Sequence, residues 1–96
     1  MEEEKLEVVR SYLSEEFQGA EIDEKYDFDR DAQTFRIRDG KDLLLLKVGE
    51  NFLSDNGKEQ VRSHLENWSI ANLLRENKEL GIFVGNNAPI AFNRFV

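Results

Sequence analysis

Apolar positions recur along this chain in two different periods, and the change of period divides it into elements. Between residues 3 and 18, Leu6, Val9, Leu13 and Phe17 repeat at three- and four-residue spacing and lie within about 80° of one another on a helical wheel. Val8 and Tyr12 flank that stripe, which predicts an amphipathic helix; Gly19, just beyond Phe17, suits the left-handed residue that ends one. The period then drops to two. Ile22, Glu24, Tyr26 and Phe28 alternate with Asp23, Lys25, Asp27 and Asp29. After the turn-forming run Asp29-Arg30-Asp31-Ala32, Phe35 and Ile37 alternate with Thr34, Arg36 and Arg38, which predicts a hairpin. Setting Phe28 opposite Phe35 places Tyr26 opposite Ile37 and, on the other face, Asp27 opposite Arg36.

Asp39-Gly40 is a tight-turn signal leading into Leu43-Leu44-Leu45-Leu46-Lys47-Val48. This third strand puts Leu44, Leu46 and Val48 on one face and Leu43 and Leu45 on the other. Both faces therefore need cover, from a second layer or from a partner chain. Gly49-Glu50-Asn51 breaks the strand, Phe52-Leu53 reads as a buried turn, and Asn56 with Glu59 has the spacing of a helix cap and its reciprocal partner. A second helix is expected from near Gly57. Its Val61, Leu65 and Trp68 share one side of the wheel, whereas Ile70, Leu73 and Leu74 lie nearly opposite, so a break is expected between residues 67 and 69 with Ser69 as the next N-cap. The β-forming run Leu80 to Gly85, then Ile90-Ala91-Phe92 after an Asn- and Pro-containing turn, predicts a last strand or hairpin. The order α-β-β-β-α-α-β-β describes an α+β fold: an antiparallel sheet, a three-stranded meander plus a C-terminal strand or hairpin, with helices packed largely on one face. Trp68 is expected to fill the core. The aromatic-rich end, Phe83, Phe92 and Phe95, reads either as core, with Phe95 fraying at the terminus, or as a contact surface; strand three and the C-terminal segment together are expected to form an oligomer or partner surface, because a 96-residue domain struggles to cover a two-faced apolar strand.

Ninety-six residues with 40% hydrophobic side chains, and no stretch rich in Pro, Gly and Ser, fit a single domain over residues 1–96. Charge narrows the functions open to it. The net is −7, and residues 1–31 alone carry twelve acids against four bases, which opposes binding to a nucleic-acid backbone. The acidic N-terminus lacks the features of an export signal, and the longest strongly apolar run, Leu43 to Leu46, is too short to span a bilayer. A cytoplasmic protein without membrane contact is expected. The absence of cysteine excludes disulfides, thiolate metal sites and a cysteine nucleophile, and the single His64 excludes a multi-histidine site.

What chemistry remains is carboxylate chemistry. Asp27, Asp29 and Asp31 have the alternation that opens an EF-hand loop, but Ala32 stands where that loop needs glycine and Arg38 where it needs a bidentate glutamate. The cluster reads instead as a solvated hairpin tip. Asp23, Asp27 and Asp29 share a strand face that Arg36 and Arg38 oppose, which reads as a cross-strand charge ladder in preference to a two-metal site. His64 flanks the Val61, Leu65 and Trp68 stripe and reads as structural or solvated. The serines lack the Gly-x-Ser-x-Gly context, and no phosphate-binding glycine loop occurs.

No catalytic residue, metal ligand or cofactor is therefore expected. The leading expectation is a non-catalytic protein-interaction module, adaptor, chaperone-like or immunity-like, binding a protein partner or a second copy through a surface that includes Leu43, Leu45, Asp23, Asp27 and Asp29. The order of elements and the acidity resemble those of the small dimeric chaperones of type III secretion, which implies a binding role at the level of fold alone. Two alternatives remain open: a small enzyme or ligand-binding domain using the Asp23 to Asp31 carboxylates, and an acidic mimic of nucleic acid. No small-molecule ligand is indicated.

Overall fold

The computed structural model describes residues 2–94; Phe95, expected to fray, lies outside the described residues. Helix α1 (Glu2–Glu16) is followed by three antiparallel strands, β1 (Glu21–Asp27), β2 (Ala32–Asp39) and β3 (Asp42–Gly49). Three short helices, α2 (Glu50–Asp55), α3 (Lys58–Asn67) and α4 (Ile70–Glu76), lead to the closing hairpin β4 (Gly81–Val84) and β5 (Pro89–Phe92). The architecture is α+β, with one open five-stranded sheet in the order β1-β2-β3-β4-β5. It is mostly antiparallel, but β4 joins β3 in parallel. Parallel neighbours need a crossover connection of a dozen or more residues, and the three helices supply it.

The apolar stripe of α1 faces inward, as its spacing predicts. Val9, Tyr12, Leu13 and Phe17 of α1 pack with Phe35, Ile37, Leu44, Leu46, Val48, Ile82 and Val84 from one face of the sheet and with Val61, Leu65, Ile70 and Leu74 from the later helices. No polar or charged residue is buried among the described residues. The Phe52-Leu53 segment, expected as a turn, is the helix α2, and both side chains are buried. Asn56 does not cap α3. Its side-chain amide donates back to the Phe52 carbonyl at 2.8 Å, ending α2, while Gly57 caps α3 by donating its backbone N–H to Gln60 Oε1 at 2.7 Å. The break between α3 and α4 falls where the two apolar stripes diverge. Ser69 stands at the N-cap but adopts a left-handed conformation, with φ at 51°, and makes no side-chain cap bond. The cap comes from elsewhere: Ala71 N–H donates to the buried Tyr12 hydroxyl of α1 at 3.0 Å.

The first hairpin pairs four residues away from the expected register. Glu24 stands opposite Phe35, Ile22 opposite Ile37, Asp23 opposite Arg36 and Tyr26 opposite Gln33. Asp27 and Ala32 close the ladder, so Phe28, Asp29, Arg30 and Asp31 form the turn, with Asp31 at φ 49°. A shift of four leaves every side chain on its predicted face, because side chains alternate with period two. Phe28, however, moves out of the sheet and is 83% exposed.

Candidate functional site

The four helices α1 to α4 cover one face of the sheet; among the described residues the other face has no second layer. Alternation assigns to that open face Asp23, Lys25 and Asp27 on β1, Thr34, Arg36 and Arg38 on β2, and Leu43, Leu45 and Lys47 on β3. It adds Phe83 on β4 and Ile90 and Phe92 on β5. Of the two readings of the aromatic end, core or contact surface, the ladder puts Phe83 and Phe92 on the open face and not in the core. Glycines make room for their rings. A Cβ on Gly81 would stand 2.2 Å from the Phe92 ring, and one on Gly49 would stand 3.2 Å from the Phe83 ring, so both rings lie flat across neighbouring strands.

Lys47 on β3 reaches over Thr34 of β2, donating to its hydroxyl at 3.1 Å, and ion-pairs with Asp27 of β1 at 2.6 Å. That hydrogen bond holds the Asp27 carboxyl below its ordinary pKa, and its proximity to Lys47 acts in the same direction. From the turn between β1 and β2 the Arg30 side chain reaches across the open face, its guanidinium 5.9 Å from the centre of the Phe92 ring. Beneath it lies a groove of about 340 Å³, lined by Asp27, Asp29, Arg30, Leu45, Lys47 and residues 92–94. Arg94 donates to the Leu43 carbonyl and ties the end of the described chain to β3.

The face is also where the apolar surface lies. Among the described residues, three large hydrophobic side chains are exposed, Phe28 at 83%, Ile90 at 62% and Leu43 at 37%. Leu43 and Ile90 sit on the open face, and Phe28 lines a second hollow on it with Lys25, Thr34, Arg36 and Lys47. Counting strand positions and the turn residues that line it, the face carries the acids Glu21, Asp23, Asp27 and Asp29 and the bases Lys25, Arg30, Arg36, Arg38, Lys47 and Arg94. A chain of net charge −7 thus presents one basic-leaning, apolar face.

The carboxylates of the N-terminal third do not converge. Asp23 pairs with Arg36 at 3.1 Å, one rung of the expected ladder; Asp27 pairs with Lys47 in place of the expected Arg36; Asp29 lies in the turn outside the strand. Glu24, on the helix-covered side, is held by Arg10 and by Gln33, and the Arg10 hydrogen bond lowers its carboxyl pKa most. Arg10 also bonds Glu3 and Glu7, Arg62 bonds Glu15, and Lys58 lies near Glu4, so cations of the fold neutralise much of the acidic stretch. Among the described residues no group of three or more His, Asp or Glu side chains converges as metal ligands would. His64 stacks on Trp68, ring centres 4.6 Å apart, and meets Phe52 edge-on at 5.7 Å. Trp68 is half-buried against the core.

The sequence singled out Leu43 and Leu45 and joined the C-terminal segment to them as one surface, without showing which of its side chains, Phe83, Ile90 and Phe92, share their face. The readable signal was the alternation of Gly81, Phe83 and Gly85, which puts small residues and one ring on a single strand face. No helix among the described residues is long and apolar enough to cross a membrane. No protein-family model, curated protein or solved structure matches the chain, so the likeness of element order to secretion chaperones has no structural match behind it.

Proposed function

We propose that this protein is a non-catalytic binding module, adaptor, chaperone-like or immunity-like in kind, whose open sheet face docks a partner polypeptide. The observation that carries the reading is the one-sided cover of the sheet. The helices bury Phe35, Ile37, Leu44, Leu46, Val48, Ile82 and Val84 on one face, while Leu43, Leu45, Phe83, Ile90 and Phe92 form an apolar strip on the other that no helix covers. Small monomeric domains seldom leave contiguous apolar surface bare unless it binds something. The polar residues beside the strip fit this role too, since an apolar centre within a charged rim is the usual anatomy of a protein interface. The carboxylates of Asp23 and Asp27, paired with Arg36 and Lys47, then brace the strands of the docking face instead of performing chemistry. A photo-crosslinking side chain at position 90 is expected to capture the partner in cells, and one at the exposed Ser14, on the outer side of α1, to capture nothing in common with it. Adducts from position 14 and none from position 90 would overturn the reading.

A further inference from the structure

We propose that the junction Asn56–Gly57 is a self-modification site: the Asn56 side chain cyclises onto the Gly57 backbone nitrogen, and the fold restrains this step with hydrogen bonds whose loss on conversion frees the β4–β5 turn from α2. The reaction needs only an amide, the next backbone N–H and water. The Gly57 nitrogen gives up its proton and bonds to Asn56 Cγ; the Cγ–Nδ2 bond breaks, ammonia leaves, and a five-membered succinimide remains. Water then opens the ring, at Cγ to give aspartate or at the former backbone carbonyl to give isoaspartate. A side chain on the following residue crowds that ring closure, and glycine alone has none. Asn56 is the only asparagine of the chain that a glycine follows.

Nothing in the fold demands glycine at position 57. Its φ is −77°, which any residue adopts, and a Cβ built there would meet only Gln60 Oε1, at 3.4 Å, an ordinary contact. Gly57 is exposed and Asn56 half-buried, so water reaches the junction. Both reacting groups are engaged, however. Asn56 Nδ2 donates to the Phe52 carbonyl at 2.8 Å and to Asn86 Oδ1 at 3.2 Å, and the Gly57 N–H donates to Gln60 Oε1 at 2.7 Å. Asn56 is extended, with ψ at 141°, which turns the Gly57 nitrogen away from the side chain, whereas ring closure needs that nitrogen eclipsed with Cβ. Because α2 and α3 flank this junction, rotating ψ moves one helix against the other. Cyclisation therefore waits on a local opening that releases the side chain and the N–H together.

The product cannot remake the same contacts. Both bonds from the Asn56 side chain are donor bonds, and a carboxylate only accepts. Conversion to aspartate sets an oxygen against the Phe52 carbonyl and Asn86 Oδ1. Asn86 cannot turn its amide to meet that oxygen without withdrawing the nitrogen that donates to Asp55 at 2.8 Å. The β4–β5 turn thus loses part of what ties it to the end of α2. Isoaspartate, with one more backbone methylene, displaces the Gly57 N–H as well.

The test incubates the full chain at mildly alkaline pH, folded and in urea, and follows every asparagine by peptide mass spectrometry with fragmentation that separates isoaspartate from aspartate. Asn56 is expected to convert first in both states, and at least about tenfold faster in urea, where no bond restrains it. Gln60→Ala and Asn86→Ala, both at exposed positions and with folds checked by circular dichroism, are each expected to speed conversion of the folded chain about fivefold, the gain in open population from one lost hydrogen bond. Gly57→Ser, which keeps a favoured N-cap residue, is expected to fold and to slow the reaction in both states. Asn56→Asp is expected to lower the amide order parameters of residues 85–88. Another asparagine converting first, equal rates folded and in urea, or rates that these substitutions leave unchanged overturn the inference, and unaltered order parameters in Asn56→Asp overturn the release of the turn. No open-face side chain takes part, so these outcomes and those of crosslinking at positions 90 and 14 are judged separately.

Discussion

Ile82 and Ile90 form a matched pair for asking whether the open face serves the fold or something outside it. They lie on adjacent strands, one isoleucine under the helices and 1% exposed, the other on the open face and 62% exposed. The same substitution, to threonine, keeps the β-branch at both positions and so leaves strand propensity nearly constant. At Ile82 it removes hydrocarbon worth about 0.8–1.6 kcal/mol and buries a hydroxyl in an apolar shell at a further cost of about 1–3 kcal/mol. The sum, about 2–5 kcal/mol, corresponds to a loss of roughly 8–40 °C in Tm for a domain of this size. At Ile90, only about a third of the burial term, about 0.5–1 kcal/mol for the whole side chain, is at stake, and threonine keeps part of it. The expected loss there is below about 0.5 kcal/mol. Urea denaturation followed by circular dichroism, with the slope m compared between variants, measures both. A loss at Ile90 comparable with that at Ile82 would show that the strip is part of the folding core, and the case for a docking face would fail with it.

Two further effects follow from hydrogen bonds that cross between elements. Tyr12→Phe removes only the hydroxyl that accepts from Ala71 N–H, and leaving that donor buried and unpaired is expected to cost about 1–3 kcal/mol and to speed hydrogen exchange at Ala71 specifically. In the native protein, burial first of all raises the Tyr12 pKa above 10, so its contribution is complete below the unfolded value and is lost as pH rises through the folded one. Tyr26, whose hydroxyl donates to Glu50 at 2.8 Å, is pushed up to about 12 and adds to the same alkaline limb. Stability is therefore expected to decline above pH 10, less steeply in Tyr12→Phe, as measured by urea midpoints at several pH values. At the acid end, Arg10 lowers the Glu24 pKa, so that contribution is present above the unfolded value near 4.5 and disappears as pH falls through the folded one. Glu24→Gln is expected to flatten the acid limb of the same curve; an unchanged limb would show that the bridge between α1 and β1 contributes nothing.

How much of this was legible without coordinates depended on whether local period alone decided the matter. The α1 stripe, the break between α3 and α4 and the two-faced β3 follow from spacing, and the structure keeps each of them. The register of the first hairpin was not legible, because two aromatic residues at plausible distance suggested a pairing that turn geometry overrides. Asp31 takes a left-handed conformation, the turn uses four residues, and Phe28 is expelled. The parallel union of β3 and β4 is a property of the crossover through α2, α3 and α4, which no periodicity in either strand encodes. That the C-terminal segment joins Leu43 and Leu45 in one surface could be read from composition, but whether Phe83 and Phe92 lie in the core or on that face could not be decided until β4 is placed beside β3 and Gly81 is seen to admit the Phe92 ring. The Ser69 cap was placed at the right residue with the wrong partner, since the bond that replaces it comes from Tyr12, 59 positions away in sequence.

The central claim, that the uncovered sheet face is where this protein meets its partner, is tested most directly by walking one photo-crosslinking side chain across both faces. Positions 43 and 90 sample the open face, and positions 14 and 72, both exposed, sample α1 and α4. The account predicts the same discrete adduct from 43 and 90 and its absence from 14 and 72. An adduct from the helix positions, with none from 43 or 90, would contradict it.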